Sequence, residues 1–232
     1  MKAKRRFNIW LWVLLCVPCL LASCDHDVHD GEEEGGLSVS LTWADKADEG
    51  TDVKDVKLWI FDADKGSMIE EKHYGSTEEV ASQRFQLPEG TYCIQTFSNL
   101  TEPFFISEQT RALTNWNNIL IGLTNPKDVR NNAYFGVTDV KIDNKEGNYV
   151  VQTQKKKVLA ELTIIIENIP KGTEMSGKAL DCAWCLFPTQ KNSDGEYGLP
   201  SIEPTEVELP TLLATESTLK SEVIRLMPTI QG

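Results

Sequence analysis

The residue with the clearest chemical task is Cys24, which closes the run Leu21-Ala22-Ser23-Cys24. Lys2, Lys4, Arg5 and Arg6 precede an apolar stretch from Ile9 to Ala22, short of the ~20 residues of a comfortable bilayer span and ending in small side chains. Together these are the parts of a bacterial lipobox at the end of a signal peptide, residues 1–23. The Cys24 thiol would accept a diacylglycerol, and cleavage between Ser23 and Cys24 would free an amine for a third acyl chain. Each buried methylene contributes ~0.8 kcal/mol, so two or three long chains hold a soluble domain on a bilayer. The plainer alternative is a secretory signal that happens to end near a cysteine.

Other candidates for chemistry are few. Of six cysteines, Cys16 and Cys19 leave with the signal and Cys24 is acylated, so Cys93, Cys182 and Cys185 remain, an odd number and a poor disulfide framework. Cys182-Ala183-Trp184-Cys185 has the spacing of half a zinc site or a redox pair, but no second such pair or nearby histidine completes it. On a strand the two would face opposite ways, which reads first as small core residues, with a disulfide or a metal as the other uses. His73 is the single histidine beyond the stretch that follows Cys24, where His26 and His29 sit. No G-x-S-x-G turn supplies a nucleophile for it, so a hydrolase triad is not expected. The 35 acidic residues guarantee chance carboxylate pairs, none of them in an apolar motif that would raise its pKa. Trp43, Trp59 and Trp184 fall in strand patterns and read as core, a sugar-stacking platform being the other use of such rings. No cofactor, metal site or enzymatic activity is expected.

Charge narrows the partners. Removing residues 1–23 takes four basic and no acidic residues, so the net charge falls from −12 to −16. Such a surface repels nucleic acid and anionic headgroups, which leaves acyl chains as the contact with a membrane. Residues 24–36 (Cys24 followed by DHDVHDGEEEGG) hold one apolar side chain and cannot offset the entropy of ordering, so they read as a flexible acidic tether.

The elements that must carry these residues are strands. Leu37, Val39, Leu41 and Trp43 alternate with polar residues, and Val56 to Phe61 is apolar on both faces at its end, as in a central strand. Asp62 to Gly66 turns the chain into a strand near Met68 to His73. Gln83 to Leu87, Pro88-Glu89-Gly90 and Thr91 to Phe97 predict a hairpin. Thr101 to Asn132 predicts a long connection with one helical turn and a short strand at Ile119 to Leu123. Ala133 to Ile142 and Asn148 to Gln154 predict a second hairpin, which closes a first domain at residues 37–155. Lys155-Lys156-Lys157 marks a boundary, and residues 156–232 would be a second β-domain, incomplete. It would begin with a strand over Val158 to Ile166 whose Ala160, Leu162, Ile164 and Ile166 share one face, continue with a strand over Lys178 to Phe187, and end at Leu219 to Leu226 after a Pro-punctuated segment to Pro210.

The lipobox, the acidic run, VKLWIFDADKG and FQLPEGTYCIQTFSN together resemble the first domain of the FimB/Mfa2 family of Bacteroidetes fimbrial anchor lipoproteins. The resemblance implies an all-β chain of two transthyretin-like, Greek-key β-sandwich domains, the second short or truncated. It implies a lipid-anchored protein of the outer membrane, facing the cell surface because Asp25, Asp27, Asp30 and Glu32 to Glu34 look like that phylum's acidic export signal. The partner it implies is a fimbrial stalk subunit, joined by strand addition at an open sheet edge beside Leu162, Ile164 and Ile166. A surface glycan-binding lipoprotein shares the anchor and the sandwiches, but needs a concave platform of exposed aromatic rings.

Overall fold

Val56 to Phe61 is apolar on both sides because it lies between two apolar layers. In the computed structural model, strand β2 (Val56–Asp62) places Val56, Leu58 and Ile60 in one buried cluster and Trp59 and Phe61 in another, as the period of two requires. The structure describes residues 35–107, 116–126 and 129–228. From Gly35 onward the chain is one compact unit, nearly all β. Its largest sheet has six strands: β1 (Gly36–Trp43), β2, β3 (Met68–Tyr74), β4 (Gly90–Ser98), β7 (Tyr134–Ile142) and β8 (Asn148–Lys157), in the order β1-β8-β7-β4-β2-β3. Its ladders are antiparallel except one. β1 and β8 run parallel, from Gly36 opposite Asn148 to Trp43 opposite Lys155.

The two most distinctive sequence motifs are turns that hold this sheet in register. After β2 the Asp62 carboxylate accepts the N–H groups of Asp64 (3.0 Å) and Lys65 (2.9 Å), and Gly66, at φ 72°, donates to the Asp62 carbonyl. The Lys65 ammonium beside it holds the Asp62 carboxyl below its ordinary range. Before β4, the Tyr92 hydroxyl donates to the Pro88 carbonyl at 2.6 Å, and a Cβ at Gly90 would sit 3.2 Å from that hydroxyl. That contact accounts for the spacing Leu-Pro-x-Gly-x-Tyr.

The hairpin expected around this turn is absent. A five-residue helix, α1 (Thr77–Ala81), capped by Ser76, precedes Gln83, and Phe85 then forms an isolated bridge with Leu37 of β1, while β4 pairs with β2 and β7. Pro88 has no N–H to give a ladder, and Phe85 and Leu87 lower their free energy by joining Leu37, Val39 and Leu58 in the apolar layer under the sheet. The hairpin of β7 and β8 is present, turning where Gly147 N–H meets the Asn144 carbonyl at 3.0 Å.

The other face of the sheet carries the second layer. Trp59, Phe61, Phe97 and Phe135 pack there with Phe104 of β5 (Phe104–Ile106), Ile121 of β6 (Ile121–Leu123), Val158, Leu159 and Leu186. The opposing four-stranded sheet has the order β14-β13-β6-β5, with β13 spanning Cys185–Lys191 and β14 Tyr197–Pro200. Its strands come from both sides of Lys155, and that lysine is itself inside β8, 3% exposed.

Beyond Leu159 the elements shorten. The single strand expected at Val158 to Ile166 is two three-residue strands, β9 (Ala160–Leu162) and β10 (Ile165–Glu167), and its supposed buried face is not buried: Ala160 and Leu162 are exposed, Leu162 by 37%, and Ile164 and Ile166 are half-buried. Lys178 to Phe187 also divides. β12 (Lys178–Ala183) bulges at Asp181, φ 57°, and the chain breaks at Trp184 before β13 enters a different sheet. The Pro-punctuated stretch holds β14 and β15 (Pro204–Glu208), the latter paired with β12. β11 (Glu174–Met175) pairs with β16 (Leu212–Leu213), β10 with β17 (Thr218–Lys220), and β9 with β18 (Ile224–Leu226).

Candidate functional site

Ser23 and Cys24 lie outside the described residues. The chain enters the fold at Gly35, whose carbonyl accepts the Gln86 side-chain amide, and Gly36, the last residue assigned to the tether, is already the first of β1, donating to the Gly147 carbonyl at 2.8 Å. The chain therefore enters the fold at the end of the sheet where β7 turns into β8.

The cysteines and His73 do not come together. Cys93, Cys182 and Cys185 are buried free thiols on three different strands, β4, β12 and β13. Burial pushes Cys93 up to about 12 and Cys185 up to about 11, and raises Cys182, so none is a thiolate at neutral pH. His73 is exposed on the edge strand β3 and its Nε2 pairs with the Asp55 carboxylate at the surface. Among the described residues, no three His, Cys, Asp or Glu side chains converge as a metal site. Among the described residues these rings form no aromatic platform: Trp59 is buried, Trp43 packs edge-on against Tyr134 at 5.0 Å under the Lys155 ammonium, and Trp184 is exposed on its own between β12 and β13.

The feature that could receive a partner is a groove of about 670 Å³ at the other end of the sheet. Val207 and Glu208 of β15, Leu212 of β16, Val223 and Ile224 to Leu226 of β18 line it together with Val129 and Arg130. Beneath it only Cys182, Val207 and Leu226 form a buried cluster, with Ile224 packed against them, so the β12–β15 and β9–β18 ladders face each other across a thin apolar seam. Among the described residues β15 and β18 each have a ladder neighbour on one side alone. Such strands offer main-chain groups and apolar side chains along the same line.

One network of charges fastens the groove to the sheet. The Arg225 guanidinium reaches the Asn132 side-chain oxygen at 2.8 Å, the Arg130 carbonyl at 2.9 Å and the Glu161 carboxylate at 3.2 Å. Lys157 continues it, 3.2 Å from Glu161 and 2.9 Å from buried Asp48. The Asn132 amide, then Lys157 and Arg225, hold the Glu161 carboxyl below its ordinary range, and Asp48 first raises Lys157. Sequence reasoning missed Arg225, Asn132 and the groove. Thr205, Val207 and Leu209 do alternate with Glu206 and Glu208, the one signal available, but the neighbouring prolines hide it.

A family profile described as fimbrillin-A associated anchor proteins Mfa1 and Mfa2 matches residues 24–197. The chain belongs to this family. Three solved structures share the fold. The fimbrial anchor protein Mfa2 of Porphyromonas gingivalis is 14% identical with a TM-score of 0.62, over 85% of this chain and 74% of that one. A candidate adhesin of Bacteroides thetaiotaomicron is 12% identical with a TM-score of 0.57, over 84% and 70%. One of Bacteroides ovatus is 15% identical with a TM-score of 0.54, over 84% of this chain and 66% of its own. The chain thus spans about two thirds to three quarters of the length of these relatives. No curated protein sequence matches it. The Mfa1/Mfa2 match ends at Tyr197, so β15 to β18 and most of the groove lie beyond it.

Proposed function

We propose that this member of the Mfa1/Mfa2 anchor family is a surface-facing lipoprotein of the outer membrane, fastened by acylated Cys24 and joined to a fimbrial stalk subunit by strand addition at the groove. The observation that carries the reading is the placement of two ends: the chain enters at Gly36, while the half-paired strands β15 and β18 line a groove of mixed polar and apolar side chains beyond the far end of the same sheet. An anchor needs that polarity. The family match begins at Cys24, the residue at which a cleaved lipoprotein would start, which supports the same reading. A division of labour within this one compact unit belongs to the proposal as well, with the strands before Lys155 receiving the tether and those after it binding the partner.

Two measurements test it. Cys24→Ala should abolish labelling by radioactive palmitate and release the protein from membranes with its fold unchanged; continued labelling and pelleting would defeat the lipid anchor. A photo-crosslinking residue in place of Val223, which is 46% exposed in the groove, should capture the fimbrial stalk subunit in the native envelope, whereas the same probe at exposed Ile69 on β3 should not. Equal capture at both sites removes the groove from the mechanism.

A further inference from the structure

We propose that the parallel β1–β8 ladder is a mechanical clamp, arranged so that tension between the tether and the groove loads its hydrogen bonds in shear. The source of the load rests on the anchor reading above; the geometry does not. β1 is the first element the chain enters, and it is an edge strand whose one ladder neighbour is β8, apart from the single bridge to Phe85. Tension arriving at Gly36 pulls β1 toward its own N-terminus. β8 is held from its opposite end, because Lys157 runs directly into buried Val158 and Leu159 and then into β9, which pairs with the groove strand β18.

In a parallel pair drawn apart from these two ends, no bond can break before its neighbours stretch. If both strands were pulled from the Gly36–Asn148 end, the same ladder would open one rung at a time.

The side chains along this ladder fit that task. Ser40 Oγ donates to the Val151 carbonyl at 3.3 Å, and Ala44 N–H extends the pairing to the Lys155 carbonyl at 3.0 Å. The Lys155 ammonium sits 3.6 Å from the centre of the Trp43 ring, and Lys157 reaches Asp48, just past the end of β1, at 2.9 Å. All four join β1 or its continuation to β8. Leu37 and Val39 are fully buried, so any slip of β1 along β8 must drag apolar side chains out of their layer.

The test is single-molecule force spectroscopy on the full chain, held by its N-terminus and by an azidophenylalanine placed at one of two exposed positions. In place of Ala160, just beyond β8, the second handle imposes shear; in place of Lys145, in the turn beside Gly36, it imposes peeling. Forced unfolding follows the unfolding rate, so the first rupture should need roughly twofold more force or greater from position 160 than from position 145. Lys155→Met and Lys157→Met should lower the shear force and leave the peeling force unchanged, with circular dichroism confirming the fold. Equal rupture forces from the two handles, or variants that weaken both geometries alike, overturn the clamp. A Cys24 that carries no lipid would sink the anchor reading and leave the force ratio untouched, so the two failures are distinguishable.

Discussion

The six-stranded sheet and the strands after Leu159 are written in much the same alternating pattern, yet they are secured very differently. Strands of the sheet run from seven to ten residues, and the sheet as a whole buries side chains on both faces. Beyond Leu159, β9, β10, β17 and β18 have three residues each, β11 and β16 two, and every one belongs to an isolated two-stranded ladder. Ordering each residue costs roughly 1–2 kcal/mol in backbone entropy, which a lone pair of strands barely offsets. Alternation therefore sets which way a side chain points. Whether that direction is dry depends on a second layer, which Val158 and Leu159 have and Ile165 does not.

The largest expected effect separates the two regions directly. Ile94, fully buried in β4, should cost about 2–5 kcal/mol when cut to alanine, because the rigid layer around it cannot close on the cavity. Chemical denaturation would show it as a fall in the one main transition. Leu226→Ala removes a comparable side chain from the seam under the groove, and there the loss should be local: hydrogen exchange accelerates in β9 and β18 while the main transition moves by less than about 2 kcal/mol. If the two variants shift the main transition equally, the regions form one cooperative unit and the contrast is broken.

Next in size is a pH effect confined to the groove side. Glu161 is held below its ordinary value of 4.5 by Asn132, Lys157 and Arg225, so its contribution is present at neutral pH and is lost as the pH falls through the depressed value. Lys157 is raised above 10.5, mainly by Asp48, so its contribution survives below that value and is lost as the pH climbs through the raised one. Hydrogen exchange in β9 and β18 should therefore quicken on acidification before the six-stranded sheet responds. Glu161→Gln should show that faster exchange already at pH 7 and lose most of its dependence on acid. An unchanged acid profile in Glu161→Gln would mean that the carboxylate does not hold β18.

What was legible in the sequence follows the same division. Val56 to Phe61 announced a central strand because a run apolar on both faces has no other comfortable place, and the Asp62 and Tyr92 turns were visible because their bonds are local. Those local bonds, with the strands around them, also carried the family. Non-local pairing stayed hidden: the parallel register of β1 with β8, the bridge of Phe85 to Leu37 and the meeting of Arg225 with Asn132 join residues far apart in the chain, and no spacing encodes them. The groove was illegible for a related reason. Prolines at 200, 204 and 210 read as loop, and Leu162, Ile164 and Ile166 suggested one open-edged strand where β9 and β10 are each paired along one side by the chain's own β18 and β17.

Thiol accessibility sharpens the comparison on a smaller scale. Cys93 and Cys185 sit in the larger sheets and Cys182 in the β12–β15 ladder, all buried. Labelling at pH 8, read cysteine by cysteine through peptide mass spectrometry, then depends on local opening and not on thiolate fraction in the closed state. Cys182 should label well before Cys93. Simultaneous labelling of the two would show that β12 opens only with the whole fold.

The smallest effect is the one that tests the premise most closely, namely that apolar side chains beyond the sheet contribute little to folding. Ile202 is 81% exposed, in the short connection between β14 and β15. Replacing it by serine gives up almost no buried area, so the denaturation midpoint should stay within the ±0.5 kcal/mol usual for such surface sites. Val39→Ser on β1, where the side chain is fully buried in the layer under the sheet, removes similar atoms and adds an unpartnered hydroxyl, so it should cost several kcal/mol. The ratio of the two is the quantity of interest. A large loss from Ile202→Ser would mean that the β14–β15 connection packs against something in the folded protein, and residues after Leu159 would then be better secured than their exposure indicates.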